Sequence, residues 1–72
     1  MILDKKKLKD LLDKSTLTRV KFAKTLGVSE SCLYRWMKGQ RQPTIDNYLR
    51  MMAAFGLNDL KDLLKEGEGE NV

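Results

Sequence analysis

Residues 18–44 hold the densest set of side chains with usable chemistry in this chain of 72 residues: Arg19, Lys38 and Arg41 carry positive charge, and Gln40 and Thr44 add neutral donors. Such groups bind anions. A guanidinium or ammonium holds an anion with nothing more than charge and reach, so this set suits an anionic partner. Covalent and proton-transfer chemistry has far less to work with. There is no histidine and Cys32 is the one cysteine, so no Ser-His or Cys-His pair, disulfide or Cys/His zinc site can be built within one chain. No acid/base constellation stands in their place, and the expectation is a protein that is not an enzyme and carries no metal or cofactor.

Charge is unevenly spread. The whole chain has a formal charge of +4, but residues 1–41 hold eleven Lys/Arg against four Asp/Glu, or +7, whereas residues 42–72 hold three against six, or −3. Steering toward an anionic partner belongs to the first half. The longest apolar run is Met51 to Phe55, far short of a membrane span, and the first residues lack the apolar core of a signal peptide. With an unpaired thiol that suits a reducing compartment, the chain is expected to be cytoplasmic. A chain of this size buries only about 60% of its unfolded surface, which leaves one small domain with a thin core.

Helical periodicity dominates what must position these groups. Residues 4–14 place Leu8, Leu11 and Leu12 on one face, with Asp4 as N-cap and the lysines at 5, 6, 7 and 9 on the wet side. A second helix starts at Thr18, faces inward with Phe22, Ala23 and Leu26, and ends at Gly27. Ser29 follows as the next N-cap, so a third helix over residues 30–38 must leave at a steep angle, with Leu33 and Trp36 facing the core and Gly39 closing it. Two short helices joined by a glycine turn make a helix-turn-helix, and the outer face of the second suits a major groove about 12 Å wide. After a loop ended by Pro43, Thr44 caps a fourth helix whose expected inner face is Ile45, Tyr48, Leu49, Met52 and Phe55, stopping at Gly56. Asn58 is expected to cap a short fifth helix with Leu60, Leu63 and Leu64. Cys32 reads as a small buried residue. Residues 1–65 form the expected domain, and residues 66–72, in which Glu and Gly alternate over 66–70, an acidic tail that buries nothing and is expected to be disordered.

The combination Leu17-Thr18, Phe22-Ala23, Leu26-Gly27-Val28-Ser29, Leu33, Arg35, Lys38-Gly39, Arg41 and Pro43-Thr44, followed by Leu49, Gly56-Leu57 and Leu60, resembles the helix-turn-helix family of the lambda-type phage repressors and Cro proteins. It extends over residues 3–65. The resemblance implies an all-α, five-helix DNA-binding domain with its helix-turn-helix at the second and third helices. It further implies a transcriptional regulator, a repressor, that binds double-stranded DNA sequence-specifically with residues 30–38 in the major groove. Carried over, the base-edge positions are Glu30, Ser31 and Arg35 with Tyr34 beside them, and the phosphate positions are Arg19, Lys38, Gln40, Arg41 and Thr44. Arg35 then pairs with guanine O6 and N7. Glu30 is equally what a helix N-terminus favours, and Tyr34 has the alternative of packing against the first helix.

Three positions depart from the family pattern. Arg19 stands where glutamine is common, Lys21 where glutamate would complete a capping box with Thr18, and Trp36 where an aliphatic residue is usual. The resemblance also implies a homodimer, weak or formed only on DNA, that spans a pseudo-palindromic operator through Leu57, Leu60, Leu63 and Leu64. The alternative is a protein-binding or antitoxin-like module on the same fold. A membrane-surface segment would account for the basic first helix but not for the glycine-punctuated remainder.

Overall fold

Each helix of the computed structural model, which describes residues 2–66, begins at a side chain that captures a free backbone N–H. Asp4 accepts from the N–H groups of Lys6 and Lys7 at 3.0 and 3.2 Å and opens α1, Lys5–Lys14. Thr18 accepts from Lys21 at 3.2 Å and opens α2, Arg19–Leu26, and Ser29 accepts from Cys32 at 3.1 Å and opens α3, Glu30–Lys38. At α4, Ile45–Phe55, the exchange is reciprocal: Thr44 accepts from the Asn47 N–H at 3.2 Å while Asn47 Oδ1 accepts from the Thr44 N–H at 3.1 Å. Each such cap stabilises its helix by about 1 kcal/mol.

The ends of α2 and α3 depend on glycine. Gly27 and Gly39 have φ of +72° and +74°, a left-handed backbone that strains any residue with a Cβ. At the first, Val28 N–H reaches the Ala23 carbonyl at 3.0 Å; at the second, Gln40 N–H reaches the Arg35 carbonyl at 2.9 Å. These bonds satisfy the last turn of each helix and turn the chain sharply. Only Gly27, Val28 and Ser29 then separate α2 from α3.

Every helix contributes to one core: Leu8 and Leu12 from α1, Phe22, Ala23 and Leu26 from α2, Leu33 and Trp36 from α3, Tyr48 and Met51 from α4, with Leu3 and Leu63 from the two ends. Phe22 and Phe55 stack with ring centroids 5.0 Å apart, and Arg50 Nη1 donates to the Leu26 carbonyl at 3.3 Å. Those two contacts set the rotation of α4. Its inward line is therefore Tyr48, Met51 and Phe55, and the expected inner face is corrected: Ile45 and Leu49 are 54% and 56% exposed. The Tyr48 hydroxyl is buried without a hydrogen-bond partner, and burial raises its pKa above the ordinary 10.0.

The expected fifth helix is also corrected. Among the described residues the chain after α4 makes only a 3-10 turn, Leu60–Asp62, capped by Asp59 rather than Asn58. Helix growth stops there because the following backbone finds partners elsewhere. Leu64 forms an isolated antiparallel bridge with Leu3, in which Asp4 N–H donates to the Leu63 carbonyl at 2.9 Å and Lys65 N–H to the Ile2 carbonyl at 3.0 Å. Lys7 Nζ then donates to the carbonyls of Lys61 and Leu64 at 3.0 and 2.8 Å. Lys7 is thus not a wet-face lysine but a pin between α1 and the segment that follows α4. Of the expected acidic tail, residues 67–72 lie outside the described residues. No described helix is long and apolar enough to cross a membrane.

Candidate nucleic-acid interface

Leu33 and Trp36 are each 2% exposed, and burying both fixes which side of α3 meets water. Glu30, Ser31, Tyr34, Arg35 and Lys38 are all exposed. The four residues expected to meet base edges therefore share one outward surface, because i, i+1, i+4 and i+5 lie on one side of a helix. Tyr34, at 54% exposure, does not pack against α1. Its ring lies 5.4 Å from Lys38 Nζ, so a cation–π contact one turn along α3 restrains both side chains.

An open groove runs beside this surface, lined by Arg19, Glu30, Ser31, Leu33, Tyr34, Arg35, Met37 and Gln40. Arg19 enters it from the first residue of α2 because the tight turn at Gly27 folds α2 back onto α3. Gln40 enters from the other end, where its backbone N–H is tied into the α3 terminus. Arg41 is exposed in the loop that follows. Thr44 is brought to the same loop, but its hydroxyl is engaged, donating to Asn47 Oδ1 at 2.9 Å.

Electrostatically this surface is left open. The ion pairs among the described residues are Lys7–Glu66 at 3.7 Å and Asp46–Arg50 at 3.2 Å, so Arg19, Arg35, Lys38 and Arg41 have no carboxylate partner there. Unpaired cations around a convex helix attract an extended anion. Cys32 is half-buried on α3. Leu57, Leu60 and Leu64 are half-buried against the core, while Leu63 is wholly inside it.

Sequence reasoning missed two residues at the edge of this surface. Gln42 accepts from the Leu3 N–H at 2.9 Å across 39 residues, and Lys5 reaches the loop after α3 from α1. No local signal marks either, since a glutamine in a loop and a lysine on a helix have the same appearance whether or not a distant segment docks on them.

The helix-turn-helix family model matches residues 8–63. Among solved structures, the fold is similar to the solution structure of the SOS-response transcriptional repressor LexA from Eubacterium rectale, with a TM-score of 0.76 and 25% sequence identity, over 96% of this chain and 79% of that one. No curated protein matches the sequence. With α2 and α3 joined by a three-residue turn and the outer face of α3 exposed, the chain belongs to the helix-turn-helix family of the lambda-repressor and Cro type, the DNA-binding regulators of transcription.

Proposed function

We propose that this chain is a transcriptional repressor that binds double-stranded DNA sequence-specifically by inserting α3 in the major groove. The observation that carries the proposal is the outward face of α3: Arg35, Tyr34, Ser31 and Glu30 exposed together, with unpaired Arg19, Lys38 and Arg41 around them. Arg35 donates to guanine O6 and N7, worth about 1–3 kcal/mol of discrimination, and Glu30 accepts from a cytosine amino group. Ser31 contacts an adjacent base edge, and Tyr34 meets a thymine methyl with the face of its ring. Arg19, Lys38, Gln40 and Arg41 hold phosphates and set the register, and Thr44 joins them by turning its hydroxyl from Asn47 to a phosphate oxygen.

Residues 1–65 act as the DNA-binding domain, with residues 66–72 as an acidic tail. One such domain covers few base pairs, so the working form is a homodimer, weak or assembled on DNA, with reading helices about 34 Å apart on a pseudo-palindrome. Leu57, Leu60 and Leu64 supply its contact, with Leu63 behind them in the core. That the similar LexA structure is named a transcriptional repressor supports repression as the outcome of binding.

Selection of bound sites from a random duplex pool tests this directly, and a recovered palindrome is the expected result. On that operator, Arg35→Ala lowers affinity far more than on random DNA, while Lys38→Ala weakens both and reduces the salt slope by about one. Equal loss on both DNAs for Arg35→Ala would remove its readout role. Absence of any binding at about 50 mM salt, where phosphate contacts are strongest, would favour the protein-binding alternative.

A further inference from the structure

Lys5 lies in the first turn of α1, yet its side chain runs to the far end of α3. A methyl group placed on Gly39 would stand 3.3 Å from Lys5 Nζ and 3.8 and 3.9 Å from its Cδ and Cε. A second contact joins the same two segments, the hydrogen bond from Leu3 N–H to Gln42 Oε1 at 2.9 Å. The start of α1 is therefore held against residues 39–42 at two points. Gly39 sits between Lys38 and Gln40, and Arg41 follows two residues on. No carboxylate lies within 4.0 Å of Lys5, Lys38 or Arg41 among the described residues. Glycine at position 39 serves two ends here: its left-handed φ of +74° ends the helix, and its missing side chain leaves room for the lysine.

The two lysines that follow Lys5 are placed differently. Lys7 is spent on the carbonyls of Lys61 and Leu64, and Lys6 borders a depression that also contains Asp4, Asp10 and Glu66. Of these three lysines, it is Lys5 that lies against the loop that ends the exposed helix. Lys5 Nζ beside Gly39 adds a cation to a segment that already carries Lys38 and Arg41 as its neighbours in sequence, and a phosphodiester lying along that segment gains a charge-assisted donor from it. The partial negative charge at the α3 C-terminus is too small to neutralise these cations.

We propose that Lys5 is a phosphate-contacting residue of the duplex-DNA interface, delivered by α1 to the C-terminal edge of α3 beside Lys38 and Arg41. This rests on the DNA-binding function proposed above. It extends the interface beyond the helix-turn-helix to the first turn of the chain, and makes the docking of residues 3–5 on the loop a part of binding.

The test compares Lys5→Gln with Lys6→Gln, which removes the same charge from the neighbouring residue of the same helix. Affinity for a mixed-sequence duplex is followed by fluorescence anisotropy between about 50 and 200 mM salt, a range over which each phosphate contact contributes about −0.9 to the slope of log affinity against log salt. Lys5→Gln is expected to lower the magnitude of the slope by about 0.9, so that its loss of affinity across that range is about threefold smaller than that of the wild type. Lys6→Gln keeps the wild-type slope, and Lys5→Arg restores it. A stabilising role at the α3 terminus would move the melting temperature but not the slope.

A second measurement needs no variant. In the wild-type protein, duplex DNA should protect Lys5 from amine acylation while Lys6 and Lys61 stay reactive. A wild-type slope in Lys5→Gln, an equal change in Lys6→Gln, or equal acylation of Lys5 with and without DNA overturns the proposal while leaving DNA binding intact. No binding by the wild type at the lowest salt overturns the function it rests on.

Discussion

Tyr48→Phe is expected to stabilise the protein, an uncommon direction for a substitution at a fully buried position. Tyr48 is 0% exposed, and its hydroxyl has lost water without gaining a protein partner. A buried unsatisfied polar group costs about 1–3 kcal/mol. Phenylalanine keeps the ring and its contacts and leaves a gap no larger than one oxygen. At roughly 24 cal/mol per Å³ that gap costs only a few tenths of a kcal/mol, so a net gain of about 1–2 kcal/mol is expected. For a domain of this size that raises Tm by about 4–8 °C per kcal/mol.

Trp36, the one tryptophan and 2% exposed, reports unfolding by fluorescence. In urea the midpoint should rise with an unchanged m-value, because the surface exposed on unfolding is the same. The pH dependence gives a second arm. Burial raises the Tyr48 pKa above 10.0 in the folded state, so the folded form holds the phenolic proton more tightly than the unfolded form. Its contribution is fully present below pH 10 and is lost as pH rises from there through the folded-state value. Tyr48→Phe should lack that portion of alkaline destabilisation. A destabilisation of 1 kcal/mol or more at pH 7 would refute the reasoning, since it would mean that the hydroxyl has a partner in solution.

Other consequences are equally direct. Lys7→Met removes the donors to the Lys61 and Leu64 carbonyls at 3.0 and 2.8 Å and should cost about 1–2 kcal/mol by urea denaturation. Because Glu66 is 91% exposed, its ion pair with Lys7 adds little, and the loss should persist at 1 M salt; disappearance of the loss there would reassign it to the ion pair. On α4, Leu49→Gln should change stability by no more than about 0.5 kcal/mol, whereas Met51→Ala, at a position 0% exposed, should cost about 2–5 kcal/mol. The reverse order would restore the face expected from periodicity.

Periodicity located α4 but not its rotation, and the reason lies in its composition. Ile45, Tyr48, Leu49, Met51, Met52, Ala53, Ala54 and Phe55 spread apolar residues around most of the helix, so several faces satisfy the pattern equally. The stack of Phe55 on Phe22 and the bond from Arg50 to Leu26 choose among them. On α3 the choice was legible, because Leu33 and Trp36 are flanked by Glu30, Ser31, Arg35 and Lys38, and only one face can be buried without taking charge out of water. The exposed surface of the candidate interface was accordingly visible in the sequence, and its edge at Lys5 and Gln42 was not.

What the sequence determined by itself is local. Asp4, Thr18, Ser29 and Thr44 cap backbone groups two or three residues away, and Gly27, Gly39 and Gly56 adopt positive φ within their own turns. These choices depend on neighbours that no fold can move. Tertiary structure alone decided that Lys7 would bind the carbonyls of Lys61 and Leu64, 54 and 57 residues away, that Gln42 would hold Leu3, and that the Tyr48 hydroxyl would have no partner. A long polar side chain has many conformations of nearly equal energy in an isolated helix, and only the carbonyl, amide or backbone that packing brings within 3 Å selects one of them.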